Sequence, residues 1–143
     1  MKIRDVMTSP VVKIGPEENL CVASRLLTQY NIGAMPVCGM DGRLCGVITD
    51  RDIVTRCLSA GKLPEQTKVR EAMSAGIRVV RPDMDVETAG LLMSGMQIRR
   101  LPVMENGRLC GMVTLGDLAR HKDTEGCAAG ILRNISCGLS ARE

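Results

Sequence analysis

The chain has 143 residues, 45% hydrophobic and 24% charged, and its 19 basic and 16 acidic residues leave a net charge of +3. This composition excludes disorder of the low-hydropathy, high-charge kind, and the absence of any Lys/Arg run excludes nucleic acid as the implied partner. With no Trp, no Phe and a single Tyr, Tyr30, aromatic stacking of bases is not available either.

The core therefore has to be built from Val, Ile, Leu, Met, Ala and Cys, with ten Met and seven Cys filling space that aromatic rings usually fill. The cysteines are Cys21, Cys38, Cys45, Cys57, Cys110, Cys127 and Cys137. Their number is odd and no pair forms a C-x-x-C. The first residues, Met1-Lys2-Ile3-Arg4-Asp5, hold no apolar signal-peptide core, and no apolar run approaches ~18 residues. The expectation is a cytoplasmic protein with reduced, mostly buried thiols and no membrane span.

The elements come twice. Lys2-Ile3-Arg4-Asp5-Val6-Met7 recurs as Lys68-Val69-Arg70-Glu71-Ala72-Met73, and the register holds through Pro16/Pro82, Ala23/Ala89, Ile32/Ile98 and Pro36/Pro102. One residue is then lost in a turn, after which Gly42-Arg43-Leu44-Cys45-Gly46 matches Gly107-Arg108-Leu109-Cys110-Gly111, Thr49 matches Thr114 and Asp52 matches Asp117. Chance does not keep a register so long, so the chain is a duplicated module.

Each copy opens with a β-branched apolar run, Val11–Ile14 or Ile77–Val80, predicted as a strand. A helix follows, capped by Asn19 or Asp85. Its apolar face is Leu20, Ala23, Leu27 and Tyr30 in the first copy and Val86, Ala89, Met93 and Met96 in the second. Two strands then flank Met40-Asp41-Gly42 or Glu105-Asn106-Gly107, which are hairpin signals. The second strand of each pair runs into a helix starting at Thr49 or Thr114. The module reads β-α-β-β-α, of the mixed α/β (α+β) class. One copy is too small to cover a three-stranded sheet, so the two are expected to pack as a pseudo-twofold pair, sheet on sheet. The modules span 2–62 and 63–122, and a tail, 123–143, carries an apolar stripe of Ala128, Ile131, Leu132, Ile135 and Leu139. Gly126, Gly130 and Gly138 predict that the tail helix is short or frayed.

The element order, the segment Ile32-Gly33-Ala34-Met35-Pro36-Val37, and the signatures Gly46-Val47-Ile48-Thr49-Asp50-Arg51-Asp52 and Gly111-Met112-Val113-Thr114-Leu115-Gly116-Asp117 resemble the cystathionine β-synthase (CBS) domain family. The resemblance covers residues 2–122, and within the family it is to stand-alone bacterial CBS pairs, including those of the hypoxic-response type. It implies a regulatory, ligand-sensing module that signals through dimer packing, with an adenine nucleotide (AMP, ADP, ATP or a relative) held in a cleft between the copies. It also implies a homodimer and a protein partner that reads its packing. No cofactor is required.

Thr49 with Asp52, and Thr114 with Asp117, have two readings. Each is a good helix cap, a hydroxyl at the N-cap and a carboxylate three residues later. Each also suits a ribose, because a carboxylate accepts from two vicinal hydroxyls at once. The backbone amides at these helix starts are expected to attract phosphate, with Arg51 adding charge in the first copy, where the second has Gly116. Arg99 and Arg100, beside Pro102, are the second copy's cations where the first has Gly33 and Ala34. The resemblance further implies that Val11, Val12, Ile32, Met35 and Pro36 border an adenine slot.

The alternative is a structural or interaction module without a ligand, in which the Thr/Asp pairs only cap helices. An enzyme is the weakest reading. The chain offers no nucleophile–base set, no phosphate loop and no metal cluster, and its one histidine, His121, has only scattered cysteines for company.

Overall fold

The helix of the first copy, α1 (Leu20–Gln29), starts where the Asn19 side chain accepts the Val22 N–H at 3.0 Å. It buries Leu20, Ala23 and Leu27 and leaves Tyr30 half-exposed at its end. A hairpin of β1 (Ala34–Cys38) and β2 (Leu44–Thr49) follows, then α2 (Asp50–Ile53), which loosens into a π turn over Val54–Leu58. A short α3 (Val69–Ala72) leads into the second copy. There α4 (Val86–Met96), β3 (Arg100–Glu105), β4 (Arg108–Thr114) and α5 (Leu115–Arg120) repeat the order, and α6 (Glu125–Arg142) ends it. This computed structural model describes residues 1–121 and 124–142, with side chains except those of Cys127 and 136–142. The tail thiols Cys127 and Cys137 and the apolar Leu139 therefore lie outside the described side chains. Among the described residues no helix is long and apolar enough to cross a membrane.

Several expectations change. The opening strands are not strands. Only Ile14 and Val80 bridge, in parallel, to Val37 and Val103, because Pro16 and Pro82 turn the chain away at once. Asp85 stands at the N-cap of α4 but makes no side-chain cap; its carboxylate accepts from Lys2 Nζ at 3.0 Å instead. Met96, expected on the buried face of α4, is exposed. The tail helix is long, at 18 residues. Ala128, Ile131 and Ile135 bury themselves in the same core as Met93 and Leu118, and that burial outweighs the ~1 kcal/mol that each helical glycine costs. Leu132 stays exposed.

Compact units and sequence repeats divide the chain differently. One unit is Val11–Ile77; the other joins Met1–Pro10 to the chain from Arg78 onward. The leader of each copy thus belongs to the unit built by the other. Ile3 and Val6 lie in the core with Val86, Met93 and Leu101. Their counterparts Val69 and Ala72 lie with Leu20, Met35 and Ile48. The same backbone bonds recur: Ile3 and Val69 N–H donate to the carbonyls of Met84 and Glu18, and Leu20 and Val86 N–H to those of Thr67 and Met1, all at 2.8–3.0 Å.

The leaders also close the sheet edges. Ser74 exchanges both backbone bonds with Val47 at 3.0 and 2.9 Å, and Thr8 exchanges both with Met112 at 2.8 and 3.1 Å. Each hairpin is thereby flanked on both sides, which protects its edges. In each hairpin the register slips by one residue, between Val37 and Cys38 and between Val103 and Met104. Cys45 and Cys110 are the extra residues of these bulges. The freed N–H groups of Cys38 and Met104 donate outward to Ile14 and Val80 at 2.9 and 2.8 Å. Burial raises the Cys38 and Cys110 thiols above the usual thiol range, so neither is a poised thiolate at neutral pH.

Gly46 and Gly111 permit the edge closure. A Cβ at Gly46 would stand 2.4 Å from the Ser74 carbonyl oxygen; at Gly111 it would stand 2.6 Å from Met7 Sδ and 3.1 Å from the Thr8 oxygen. Gly46→Ala is expected to cost ~1–3 kcal/mol by strain, and Gly111→Ala less, because a flexible Met end yields more readily than backbone. Gly95→Ala, which meets nothing within 4 Å inside α4, should stabilise by up to ~1 kcal/mol. Urea unfolding of the three variants checks the order.

Ion pairs hold the outside of each leader. Lys68 Nζ lies 2.7 Å from Glu17, Arg70 Nε 3.1 Å from Glu17, and Lys2 Nζ 3.0 Å from Asp85. The hydrogen bond from Lys68 lowers the Glu17 carboxyl from its usual 4.5, and that from Lys2 lowers Asp85 from 3.8. A carboxylate lowered on folding adds stability that is complete above its unfolded value and lost as pH falls through its folded one. Unfolding midpoints should therefore drop on acidification below these values, and Glu17→Gln with Asp85→Asn should flatten that drop. Added salt should weaken the effect.

Candidate functional site

The two Thr-x-x-Asp turns are built alike. β2 ends on Thr49, whose extended backbone hands the chain to α2. Thr49 Oγ1 accepts the Asp52 N–H at 3.0 Å, and Asp52 Oδ2 accepts the Thr49 N–H at 3.1 Å. In the second copy the same reciprocal bonds join Thr114 and Asp117 at 3.0 and 2.9 Å. Both carboxylates are buried, Asp117 more deeply at 2% exposure than Asp52 at 9%.

The preceding helices aim a second segment at each turn. α1 and α4 end in a left-handed residue, Asn31 (φ 51°) and Gln97 (φ 56°). The next N–H, of Ile32 or Ile98, then donates back to Leu27 or Met93 at 3.0 Å, a Schellman closure that seats an apolar residue against the helix. The chain emerges so that Ala34 pairs with Thr49 and Arg100 with Thr114. The carbonyls of Gly33 and Arg99 accept the first helical N–H groups, of Asp50 at 3.1 Å and Leu115 at 2.7 Å.

The helix start of the first copy is consequently not the open amide site expected from the sequence. In the first copy Asp50 N–H donates to Gly33, Arg51 N–H to Asp50 Oδ1 at 2.7 Å, and Asp52 N–H to Thr49. A phosphate would have to be met by side chains. Arg51 is exposed, and its guanidinium has no partner among the described residues.

The other predicted residues divide between surface and core. Gly33, Ala34, Ile32, Val11 and Val12 are half-buried, with Ile32 and Val12 lying against the core of their unit. Met35 is wholly enclosed in that core. Pro36 and Pro102 are buried strand residues facing Val47 and Met112. Met35 thus packs inward, in the core with Leu20, Leu27 and Ile48. Arg99 is exposed, and Arg100 is half-buried at the start of β3.

Three residues missed in the sequence touch the carboxylates. Arg56 Nε stands 3.9 Å from Asp52 Oδ1, while its NH1 donates to the carbonyls of Ala72 and Met73, each at 3.0 Å. Arg120 pairs with Asp117 Oδ1 through NH2, and Thr8 Oγ1 donates to the same oxygen at 3.3 Å. The i+4 and i+3 spacings from each Asp are the signal that finds Arg56 and Arg120; nothing local marks Thr8. Among the described residues, no group of three or more His, Cys, Asp or Glu side chains converges as a metal site would require.

This architecture of two like hairpins, each ending in a Thr/Asp turn, defines a duplicated module. The family model for the CBS domain matches residues 3–59 and 69–123, and the chain belongs to the CBS-domain family. It is similar to the CBS domain-containing protein YhcV of Bacillus subtilis, 40% identical over 134 residues and 94% of each chain. It is similar in structure to Hypoxic Response Protein I, solved with two coordinated zinc ions, at a TM-score of 0.79 and 38% identity over 85% of this chain and 98% of that one. The CBS pair of MJ0100, solved with 5′-methylthioadenosine and S-adenosyl-L-methionine, superposes at a TM-score of 0.76 with 26% identity, covering 84% and 94% of the two chains.

The reciprocal caps carry a structural role whatever binds. Thr49→Val and Thr114→Val are each expected to cost ~0.5–2 kcal/mol. Denaturant unfolding without any added ligand checks this and isolates the capping role.

Proposed function

We propose that the protein is a regulatory CBS pair that binds an adenosine derivative at the Thr49/Asp52 turn and catalyses no reaction. The observation that carries this reading is the state of Asp52. Its Oδ2 is fixed by the Thr49 N–H, while among the described residues Oδ1 has only Arg56 Nε, at 3.9 Å. A rigid carboxylate with an unfilled oxygen is ready to accept hydroxyl donors, and bonds to a charged acceptor contribute ~1.5–3 kcal/mol. The CBS pair of MJ0100, solved with two adenosine compounds, supports the ligand class.

Arg51 supports the choice among such compounds. An exposed guanidinium, without a partner among the described residues and next to the ribose acceptor, favours an anionic 5′ substituent, as in AMP, ADP or ATP, over a neutral thioether or a cationic sulfonium. Gly33 and Ala34, beside Thr49 across the hairpin, carry no large side chain. The signal is read as a change in homodimer packing by a protein partner. Val54 and Leu58, on the helix after Asp52, stay half-exposed while Ile53 and Cys57 turn into the core, and the two exposed side chains supply an apolar face for a second copy.

The reciprocal Thr49–Asp52 bonds favour a second reading, a ligand-free interaction module in which the motif only caps α2. Calorimetry against AMP, ADP, ATP, 5′-methylthioadenosine and S-adenosyl-L-methionine separates the two. Phosphorylated nucleosides should bind, Asp52→Ala should weaken all adenosine ligands by about 10- to 100-fold, and Arg51→Ala should weaken only the phosphorylated ones. Absence of binding by every adenosine compound at millimolar concentration would leave the interaction module.

A further inference from the structure

The two copies share a backbone but not a carboxylate environment. Asp117 Oδ2 is held by the Thr114 N–H, as in the first copy, yet its Oδ1 is doubly engaged by the Thr8 hydroxyl at 3.3 Å and by Arg120. A carboxylate offers about four acceptor positions. Here the directions from which ribose hydroxyls would arrive are filled from within the unit, and the group is almost fully buried.

The difference traces to single residues. Arg56 sits four residues after Asp52 and spends its NH1 on the Ala72 and Met73 carbonyls, which holds its guanidinium back. Arg120 sits three residues after Asp117, and its first-copy counterpart is Thr55, whose hydroxyl turns to the Arg51 carbonyl at 2.8 Å. Gly116 replaces Arg51, and a Cβ placed on it would lie 3.5 Å from Arg120 NH1. That is ordinary van der Waals contact, so Arg120 folds back over the turn close beside Gly116. Ser74, the counterpart of Thr8, makes no hydrogen bond to Asp52 among the described residues.

We infer that Thr8 and Arg120 form an internal latch that occupies Asp117, so the chain takes an adenosine ligand at Asp52 and not at Asp117 until the latch opens. The inference rests on the reading of these carboxylates as ribose acceptors. The latch is a specificity device, and it is built partly from the leader. The Thr8 backbone is bound to Met112, so displacement of the leader from β4 would remove one of the two blocking groups.

The test is calorimetric stoichiometry with AMP, ATP and 5′-methylthioadenosine on the full chain. Thr8→Val keeps the side-chain shape and the backbone bonds. Arg120 is 68% exposed at its side chain, so Arg120→Ala removes little packing, and ligand-free thermal melts of both variants confirm that they fold. The wild type should bind one equivalent per chain, lost in Asp52→Ala. The Thr8→Val/Arg120→Ala double variant should bind two, the second lost on adding Asp117→Ala. A double variant that still binds one equivalent, or a wild type that already binds two, overturns the latch and leaves the Asp52 reading intact. Weaker binding on loss of Arg120 would make it a ligand contact, which also overturns the latch. If the wild type binds nothing while the double variant gains an Asp117-dependent site, the latch stands and the Asp52 reading fails; if neither binds, both fail.

Discussion

Two short stretches, Met7-Thr8 and Met73-Ser74, lie close against Gly111 and Gly46, where any added side chain would have to displace them. Much else follows from those contacts. They close the open edge of each hairpin, seat Ile3 and Val69 in the cores, and place the residues that follow α3 within reach of Arg56. A two-stranded hairpin alone is marginal in water. Flanked by a leader on one side and by Ile14 or Val80 on the other, it becomes the floor on which the helices pack. The glycine in each Gly-x-x-Thr signature is thus a requirement of packing, and the threonine three residues on is where that packed strand must turn into a helix.

The same frame supports different chemistry in its two halves. Main-chain hydrogen bonds around the turns repeat almost bond for bond, so geometry alone does not distinguish the copies. The side chains do. A one-residue shift in where the arginine falls along the following helix, and Thr8 in place of Ser74, turn a carboxylate with one lightly held oxygen into one with both oxygens engaged by its own chain. Duplication conserved the scaffold, and the electrostatic environment of a single carboxylate diverged on it.

Features that depend on neighbours in sequence were legible before any coordinates: the repeat, the helix faces of Leu20, Ala23, Leu27, Val86, Ala89 and Met93, the Asn19 cap, the hairpin turns and the Thr/Asp pairs. Those that depend on distant residues were not. Asp85 reads as a cap, yet Lys2, far away in sequence, claims its carboxylate. Val11–Ile14 has strand composition but only one partner residue to bridge. The first amide of each helix looked open because the carbonyl that takes it, of Gly33 or Arg99, arrives from the residue before another strand. The tail glycines lowered local propensity, while the burial that overrides them is tertiary. In the candidate site, Thr49, Asp52 and Arg51 stand out by motif. Arg56 and Arg120 were findable by helical spacing and passed over, and Thr8 lies in no pattern that links it to Asp117.

The exchange of leaders has a consequence for how the chain comes into being. Every residue of the Val11–Ile77 unit is contiguous, so a ribosome delivering the chain from its N-terminus can release that unit as a finished piece early. The first ten residues cannot join their own unit until Met84, Val86 and finally Met112 have been made. Throughout that interval Ile3 and Val6 have no core to enter. Joining the leader to its unit is therefore a closure of high sequence separation, slow by nature, and the hydroxyl of Thr8 reaches Asp117 only when that closure is complete.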